Sequence, residues 1–305
     1  MTRAPLKNIG ASVRTRLTDQ ARARGDNAQL LMLRFAIERL LYRLAQSAYR
    51  DQFVLKGAML FSLWAPVPYR STGDLDLLGQ GDPAPTRMAA IFKAVCGEPV
   101  ADDGLSFDAG SVKAESARDE EEYTGVRITL VATLAGAKLP IQIDIGFGDA
   151  VTPGARDIDY PSLLDFPSAA LKAYPPETVV AEKLEALVSL GMRNSRMKDF
   201  FDLWVIARTF AFDGQALSEA VTATFQRRQT PLPVETPLAL TDAFAQDAGK
   251  QTQWRAFLNR TTLALAPEPL PELIAFIATF ALPLLNASEV VAGQRWAPGG
   301  PWASA

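Results

Sequence analysis

The 305-residue chain has no histidine and a single cysteine, Cys96. Without histidine there is no Ser–His–Asp or Cys–His catalysis, no His-ligated metal and no imidazole base. One cysteine excludes an internal disulfide and a multi-cysteine zinc site. Long unbroken apolar runs are also missing. "LPELIAFIATFALPLL" is interrupted by Pro271, Glu272 and Pro283 and falls short of a clean membrane span. The N-terminal "MTRAPLKNIGASVRTRL" lacks the apolar core of a secretory signal. A cytoplasmic protein without a membrane partner is therefore expected. The net charge of −3 is too small for general attraction to nucleic acid. Any chemistry must come from carboxylates, lysines, arginines, hydroxyls and an oxygen-liganded metal.

Charge is unevenly spread. Residues 1–50 carry ten Arg or Lys against three Asp or Glu, whereas "RDEEEYTG" from Arg118 holds four consecutive acids. The arginines are either a basic face for RNA or the solvated sides of helices.

Apolar periodicity in "NAQLLMLRFAIERLLYRLAQS" predicts an amphipathic helix with Arg34, Glu38, Arg39 and Arg43 on its polar face. "FVLKGAMLFSLWA" reads as a strand to about Leu55, a turn at Gly57 and a helix ended by Pro66 and Pro68. "DLDLL" is a second strand, and "GDPAPTRMAAIFKAVCG" turns into a helix. "GVRITLVATLA" and "KLPIQIDIGFG" form a hairpin about Gly136 and Ala137. The proline-rich stretch from Asp149 to Pro176 suggests a covering loop or domain junction. Helical patterns follow: "PPETVVAEKLEALVSLGM" with a proline start and Gly191 as stop, "SRMKDFFDLWVIARTF" with Ser195 as a possible cap, and several more up to "LPELIAFIATFALPLLNA". The plan is α/β (α+β): a small mixed sheet flanked by helices over 1–150, a helical domain over 151–290 and a loose tail over 291–305.

The strand "DLDLL" carries the clearest chemical signal. Side chains alternate along a strand, so Asp74 and Asp76 share a face while Leu75 and Leu77 take the other. Adjacent like charges repel, and a divalent cation resolves the conflict; Mg²⁺ is commonly held by one or two carboxylates plus substrate phosphates. Asp144 in "PIQIDIGFG" shares its face with Gln142 and Gly146. If its strand lies beside "DLDLL", three carboxylates converge, the ligand set of two-metal phosphoryl or nucleotidyl transfer. The plainer alternatives are that Asp74 caps a turn through Gly73 and that Asp76 pairs with Arg70. In "LKGAML", backbone N–H groups from Gly57 and Ala58 suit a phosphate, with Lys56 and Arg70 adding charge; alternatively, Gly57 is only a turn glycine. In the helical half, Asp199 and Asp202 are i, i+3 neighbours and Lys198 and Asp202 are i, i+4 neighbours, interleaved with Phe200, Phe201, Leu203 and Trp204.

Taken in order, "FVLKGAMLFSLW", "YRSTGDLDLL", "IQIDIGFGD" and "ETVVAEKLEALVSLGMRNSRMKDFFDL" resemble the AbiEii/AbiGii toxin family, which includes the MenT toxins, over roughly residues 8–210. The resemblance implies a DNA-polymerase-β-like nucleotidyltransferase core with a helical C-terminal domain. It implies Asp74 and Asp76 as metal-binding acids, completed by Asp144, and Gly57–Ala58 as the start of the nucleotide-holding helix. Lys183 would contact the triphosphate or nucleotide, and Asp199, or its neighbour Asp202, would be the fourth-motif acid. The family often has Gly-Gly or Gly-Ser where this chain has Gly57–Ala58; Ser71 or Thr72 would then supply the hydroxyl. The implied activity is Mg²⁺- (or Mn²⁺-) dependent transfer of NMP from an NTP to the 3′ end of tRNA, which blocks translation. Arg193, Arg196 and the basic N-terminal region would meet the RNA. A cognate antitoxin is the implied partner, and a monomer is expected. The same core acting on a small molecule or protein hydroxyl, or a non-catalytic nucleotide-binding module, are the competing readings.

Overall fold

The computed structural model describes residues 8–65, 70, 72–118, 124–261, 263, 265–286 and 291–304. Ser71, the acidic run after Arg118 and the proline stop at Pro66 and Pro68 lie outside the described residues. The chain divides into two compact units, Met1–Gly148 with Arg156–Ala173 and Asp149–Ala155 with Tyr174–Ala305. A single cut at 150 does not describe this path, because the chain returns to the first unit to add two strands.

The first unit opens with helices α1 (Ile9–Arg24) and α2 (Ala28–Gln46). Asn8 and Asn27 cap them, each accepting a backbone N–H, from Ala11 at 2.9 Å and from Leu30 at 3.1 Å. Strand β1 (Phe53–Lys56) leads into a 3-10 turn over Gly57–Leu60 and the short α3 (Phe61–Trp64). Then come β2 (Asp74–Gly79), α4 (Pro85–Cys96), β3 (Leu105–Arg118), β4 (Thr124–Leu134), β5 (Ala137–Phe147), β6 (Arg156–Tyr160) and β7 (Ala169–Ala173). The seven strands form one sheet in the order β3-β4-β5-β2-β1-β7-β6. β2/β5 and β1/β7 are parallel and the other pairs antiparallel.

The register explains the sheet's two faces. Leu55, Leu77, Ile145 and Val126 are opposite one another across four strands and are buried. Helices α1, α2 and α4 pack on the sheet. The alternate rows carry Lys56, Asp76, Asp144 and Arg127. The β4–β5 hairpin turns at Ala135–Gly136, both with positive φ, one residue earlier than the sequence suggests. Between Asp149 and Pro176 the expected loop contains β6 and β7. Their prolines, Pro153, Pro161, Pro167 and Pro175, lie outside the strands instead of interrupting them.

The polar face expected on α2 is largely internal. Glu38, Arg39 and Arg43 are buried. Arg39 Nε and Arg43 Nη1 converge on Asp103 Oδ2 at 3.1 and 2.7 Å, while Arg43 Nη2 reaches Oδ1 at 3.1 Å. Arg39 also donates to the Pro167 carbonyl at 2.7 Å. These two arginines serve the fold, so that part of the basic N-terminal region is no RNA surface. Burial alone would raise the Asp103 pKa, but hydrogen bonds from Arg43 and Arg39 hold it below the usual carboxylate range. Glu38 accepts from the Ser162 hydroxyl and from the Leu163 N–H, which fixes the loop after β6.

The second unit contains α5 (Pro176–Leu190), α6 (Met197–Thr209), β8 (Phe212–Asp213), α7 (Gly214–Arg227), α8 (Asp242–Ala245), α9 (Ala248–Arg260), α10 (Leu270–Asn286), β9 (Gln294–Trp296) and β10 (Trp302–Ser304). Ser195 is not the cap of α6. The Arg196 N–H donates instead to the Asn194 side-chain oxygen at 2.8 Å, and Asn194 is fully buried. Nor is the C-terminal stretch a loose tail. β9 bridges β8 and β10, and Trp296 is buried with its ring N–H donating to the Ala207 carbonyl at 2.6 Å. The Trp302 ring stacks on Phe280 at 5.9 Å. Aromatic burial holds the stretch expected to be a loose tail. Among the described residues no helix is long and apolar enough to cross a membrane.

Burial raises the Glu38 pKa to about 7, against its hydrogen bonds from Ser162 and Leu163, from an ordinary value of 4.5. The native state therefore holds this proton over a pH range in which the unfolded chain has lost it. The stability tied to that proton is full below about pH 4.5 and is lost as pH rises through about 7. Urea unfolding of the full chain across this window should show that loss, and Glu38→Gln should flatten it.

Candidate active site

The site grows from β2. Asp74 is exposed and Asp76 half-buried, both on the face opposite the buried Leu75 and Leu77. β5 runs parallel beside β2, and its register pairs Asp76 with Asp144 and Asp74 with Gln142. On the other side Lys56 of β1 pairs with Asp76. On β4, Arg127 pairs with Asp144, and Glu115 of β3 pairs with Arg127. One row of the sheet thus reads Lys56, Asp76, Asp144, Arg127, Glu115, all pointing to the same side.

Asp144 is fully engaged within that row. Its Oδ1 accepts from Arg127 Nε at 2.7 Å, and its Oδ2 accepts from Arg127 Nη2 at 3.3 Å and Gln142 Nε2 at 2.9 Å. The Asp144 hydrogen bond, with Glu115 and Asp74 close by, raises the Arg127 pKa above its usual value. Among the described residues no three Cys, Asp or Glu side chains gather in a metal-holding group. Asp74 and Asp76 share this face and are oxygen donors of the kind Mg²⁺ accepts when substrate phosphates complete its shell.

Gly57 is the second constraint. Its φ of +72° lies in the left-handed region. A Cβ there would come within 2.0 Å of Asp76 Oδ2 and 2.7 Å of its Cβ. The turn thus leaves room only for hydrogen beside the carboxylate, and Gly57 is more than a loop residue. Ala58, next in the 3-10 turn, is buried. Arg70 is 9% exposed with its guanidinium 5.6 Å from the Phe61 ring. The Thr72 hydroxyl is 3.5 Å from the Asp74 N–H.

In the second unit Lys183 of α5 meets two acids of α6. Its Nζ is 2.6 Å from Asp199 Oδ1 and 2.9 Å from Asp202 Oδ2, with side chains 16%, 10% and 1% exposed. The i, i+4 reading paired Asp202 with Lys198; the helix crossing gives it Lys183. A second buried knot joins Arg228 to Glu185 at 2.7 Å, Asp149 at 3.4 Å and Glu182 at 3.6 Å. Thr230 also donates to Glu185 at 2.6 Å.

Sequence reasoning missed Arg127 and Arg228. Arg127 was recoverable: with the hairpin turn at Ala135–Gly136, Arg127 falls opposite Asp144, whereas a turn one residue later puts it opposite Gly146. Arg228 pairs through tertiary packing and has no local signal.

A family model for the nucleotidyl transferase AbiEii toxin of a type IV toxin–antitoxin (TA) system matches residues 39–280. The chain belongs to the AbiEii family. It is accordingly a nucleotidyltransferase toxin, with an NTP as substrate and an antitoxin as partner. The JHP933 protein of Helicobacter pylori has a similar fold, with a TM-score of 0.50 and 14% identity over 87% of this chain and 93% of that one. A candidate nucleotidyltransferase from H. pylori has 13% identity over 87% of this chain and 96% of that one, with a TM-score of 0.49. No curated protein gives a significant match. The AbiEii match includes β1, β2, β5 and the Lys183 cluster and omits α1 and the C-terminal strands.

Gly57→Ala tests the close approach. The left-handed backbone costs alanine about 1–2 kcal/mol, read by urea unfolding. Nucleotidyl transfer should fall by about 10²-fold, because the Asp76 carboxylate must shift.

Proposed function

We propose that this AbiEii toxin transfers a nucleoside monophosphate from an NTP to the 3′ end of tRNA, using Mg²⁺ or Mn²⁺, and so blocks aminoacylation and translation. The observation that carries the reading is the seating of Asp76: beside Asp74, opposite Lys56 and against a turn that admits only glycine. Asp74 and Asp76 hold the metal, which supplies charge neutralisation at the triphosphate when bound. Gly57 and Ala58 offer backbone N–H groups, and Lys56 offers an ammonium, to the phosphates. Arg70 and Thr72 flank the same strand. Asp144 supports the face through Arg127. By the family resemblance Lys183 and Asp199 would have roles in the family's reaction, and Asp202 pairs with the Lys183 ammonium at 2.9 Å.

The acceptor hydroxyl oxygen bonds to the α-phosphorus, the bond from that phosphorus to the bridging oxygen breaks, and pyrophosphate leaves with the electron pair. The hydroxyl proton passes to water. RNA as acceptor is supported by Arg193, which is exposed, and Arg196, which is half-buried, in and after the turn that follows α5. Binding there should weaken with salt, as phosphate contacts do.

The test is incubation with labelled NTPs and total RNA. Wild-type protein should label an RNA of tRNA size only with Mg²⁺ or Mn²⁺ present, and Asp76→Ala should abolish both labelling and growth inhibition. Label found on the protein or a small molecule, or equal toxicity of the two, would contradict the reading.

A further inference from the structure

Arg127 is clamped along one edge only. Nε and Nη2 bind the two oxygens of Asp144, and Gln142 holds the second oxygen in place. Among the described residues Nη1 has no hydrogen-bond partner, and the side chain is 42% exposed. A two-point arginine–carboxylate fork fixes the guanidinium plane, and arginine keeps its charge at any working pH. The outer edge is thus a preset donor for an oxyanion.

Its place in the row says which oxyanion. Lys56 and Gly57 lie on the β1 side of Asp76, the side proposed for the triphosphate. Arg127 lies two strands away on the other side, its backbone about 10 Å from that of Asp76 at the usual strand spacing. The other phosphate present in the reaction is the acceptor's own backbone. We infer that Arg127 is an acceptor-binding residue, donating to the phosphodiester that precedes the reacting 3′ hydroxyl, with Asp144 as its positioning residue. This rests on the RNA-acceptor reading above. Glu115 and Asp74 also face Arg127, so the contact is favourable when the charge of Asp74 and Asp76 is compensated. Acceptor binding then depends on the divalent cation as well as on Arg127.

The experiment is fluorescence anisotropy of a short 5′-labelled oligoribonucleotide with a free 3′ hydroxyl, with Mg²⁺ and a non-hydrolysable NTP analogue present. Arg127→Gln should weaken oligonucleotide binding about tenfold. It should lower the slope of log affinity against log salt by about 0.7, the value for one single-strand phosphate contact. Affinity for the NTP analogue, by calorimetry, should stay unchanged. Arg127→Lys should restore the salt slope but only part of the affinity, because it lacks the fork. Unchanged oligonucleotide binding, no binding by the wild type, or a loss confined to the NTP analogue would each overturn the assignment. If Arg127→Gln does not unfold cooperatively, Arg127→Lys decides alone, and wild-type affinity overturns the assignment. A wild type that labels no RNA overturns the proposed reaction. A wild type that labels RNA while Arg127→Gln binds the oligonucleotide normally overturns the Arg127 role only.

Discussion

Two carboxylates on neighbouring parallel strands repel, and the surroundings of Asp76 and Asp144 are arranged about that repulsion. Two unit charges about 5 Å apart cost about 3 kcal/mol in a partly buried setting. The sheet answers from both sides. Lys56 stands opposite Asp76 on β1, and Arg127 binds Asp144 from β4. The outcome separates two acids that look alike in the sequence. Asp144 is held by Arg127 and Gln142, and Asp76 and Asp74 lie on the face proposed for a cation and its phosphates.

That arrangement needs a firm platform. Leu55, Leu77, Ile143 and Ile145 supply the apolar underside of the same strands. The buried knot of Arg39, Arg43 and Asp103 ties α2 to the segment before β3. Breaking such a knot on one side leaves a buried charge without its partner, so the polar interior fixes geometry more than it adds stability. Gly57 then sets the distance between its own turn and Asp76, and so links one backbone dihedral to the chemistry proposed for this AbiEii nucleotidyltransferase.

Much of this was legible in the sequence where local pattern determines structure. The strand alternation of Asp74 and Asp76, the 3.6-residue period of α2 and the Pro176 start and Gly191 stop of α5 all appear as read. Features set by distant partners were not. Arg39 and Arg43 look like solvated helix positions until Asp103 arrives from 60 residues away. β3 hides behind small and polar residues and a register shift between Asp108 and Lys113. β6 and β7 are five-residue strands that borrow their stability from β1. The C-terminal strands depend on Trp296 finding Phe280 and the Ala207 carbonyl. Arg127 depended on locating a hairpin turn to a single residue.

The central claim is that Asp74 and Asp76, and not Asp144, hold the metal beside the Gly57 turn. A crystal structure with Mn²⁺ and a non-hydrolysable NTP analogue, with the metal located by its anomalous scattering, tests it most directly. The account predicts Mn²⁺ on Asp74 and Asp76, the triphosphate along Gly57–Ala58, and Asp144 still paired with Arg127. Metal bound by Asp144 with Arg127 released, or a triphosphate away from the Gly57 turn, would contradict it.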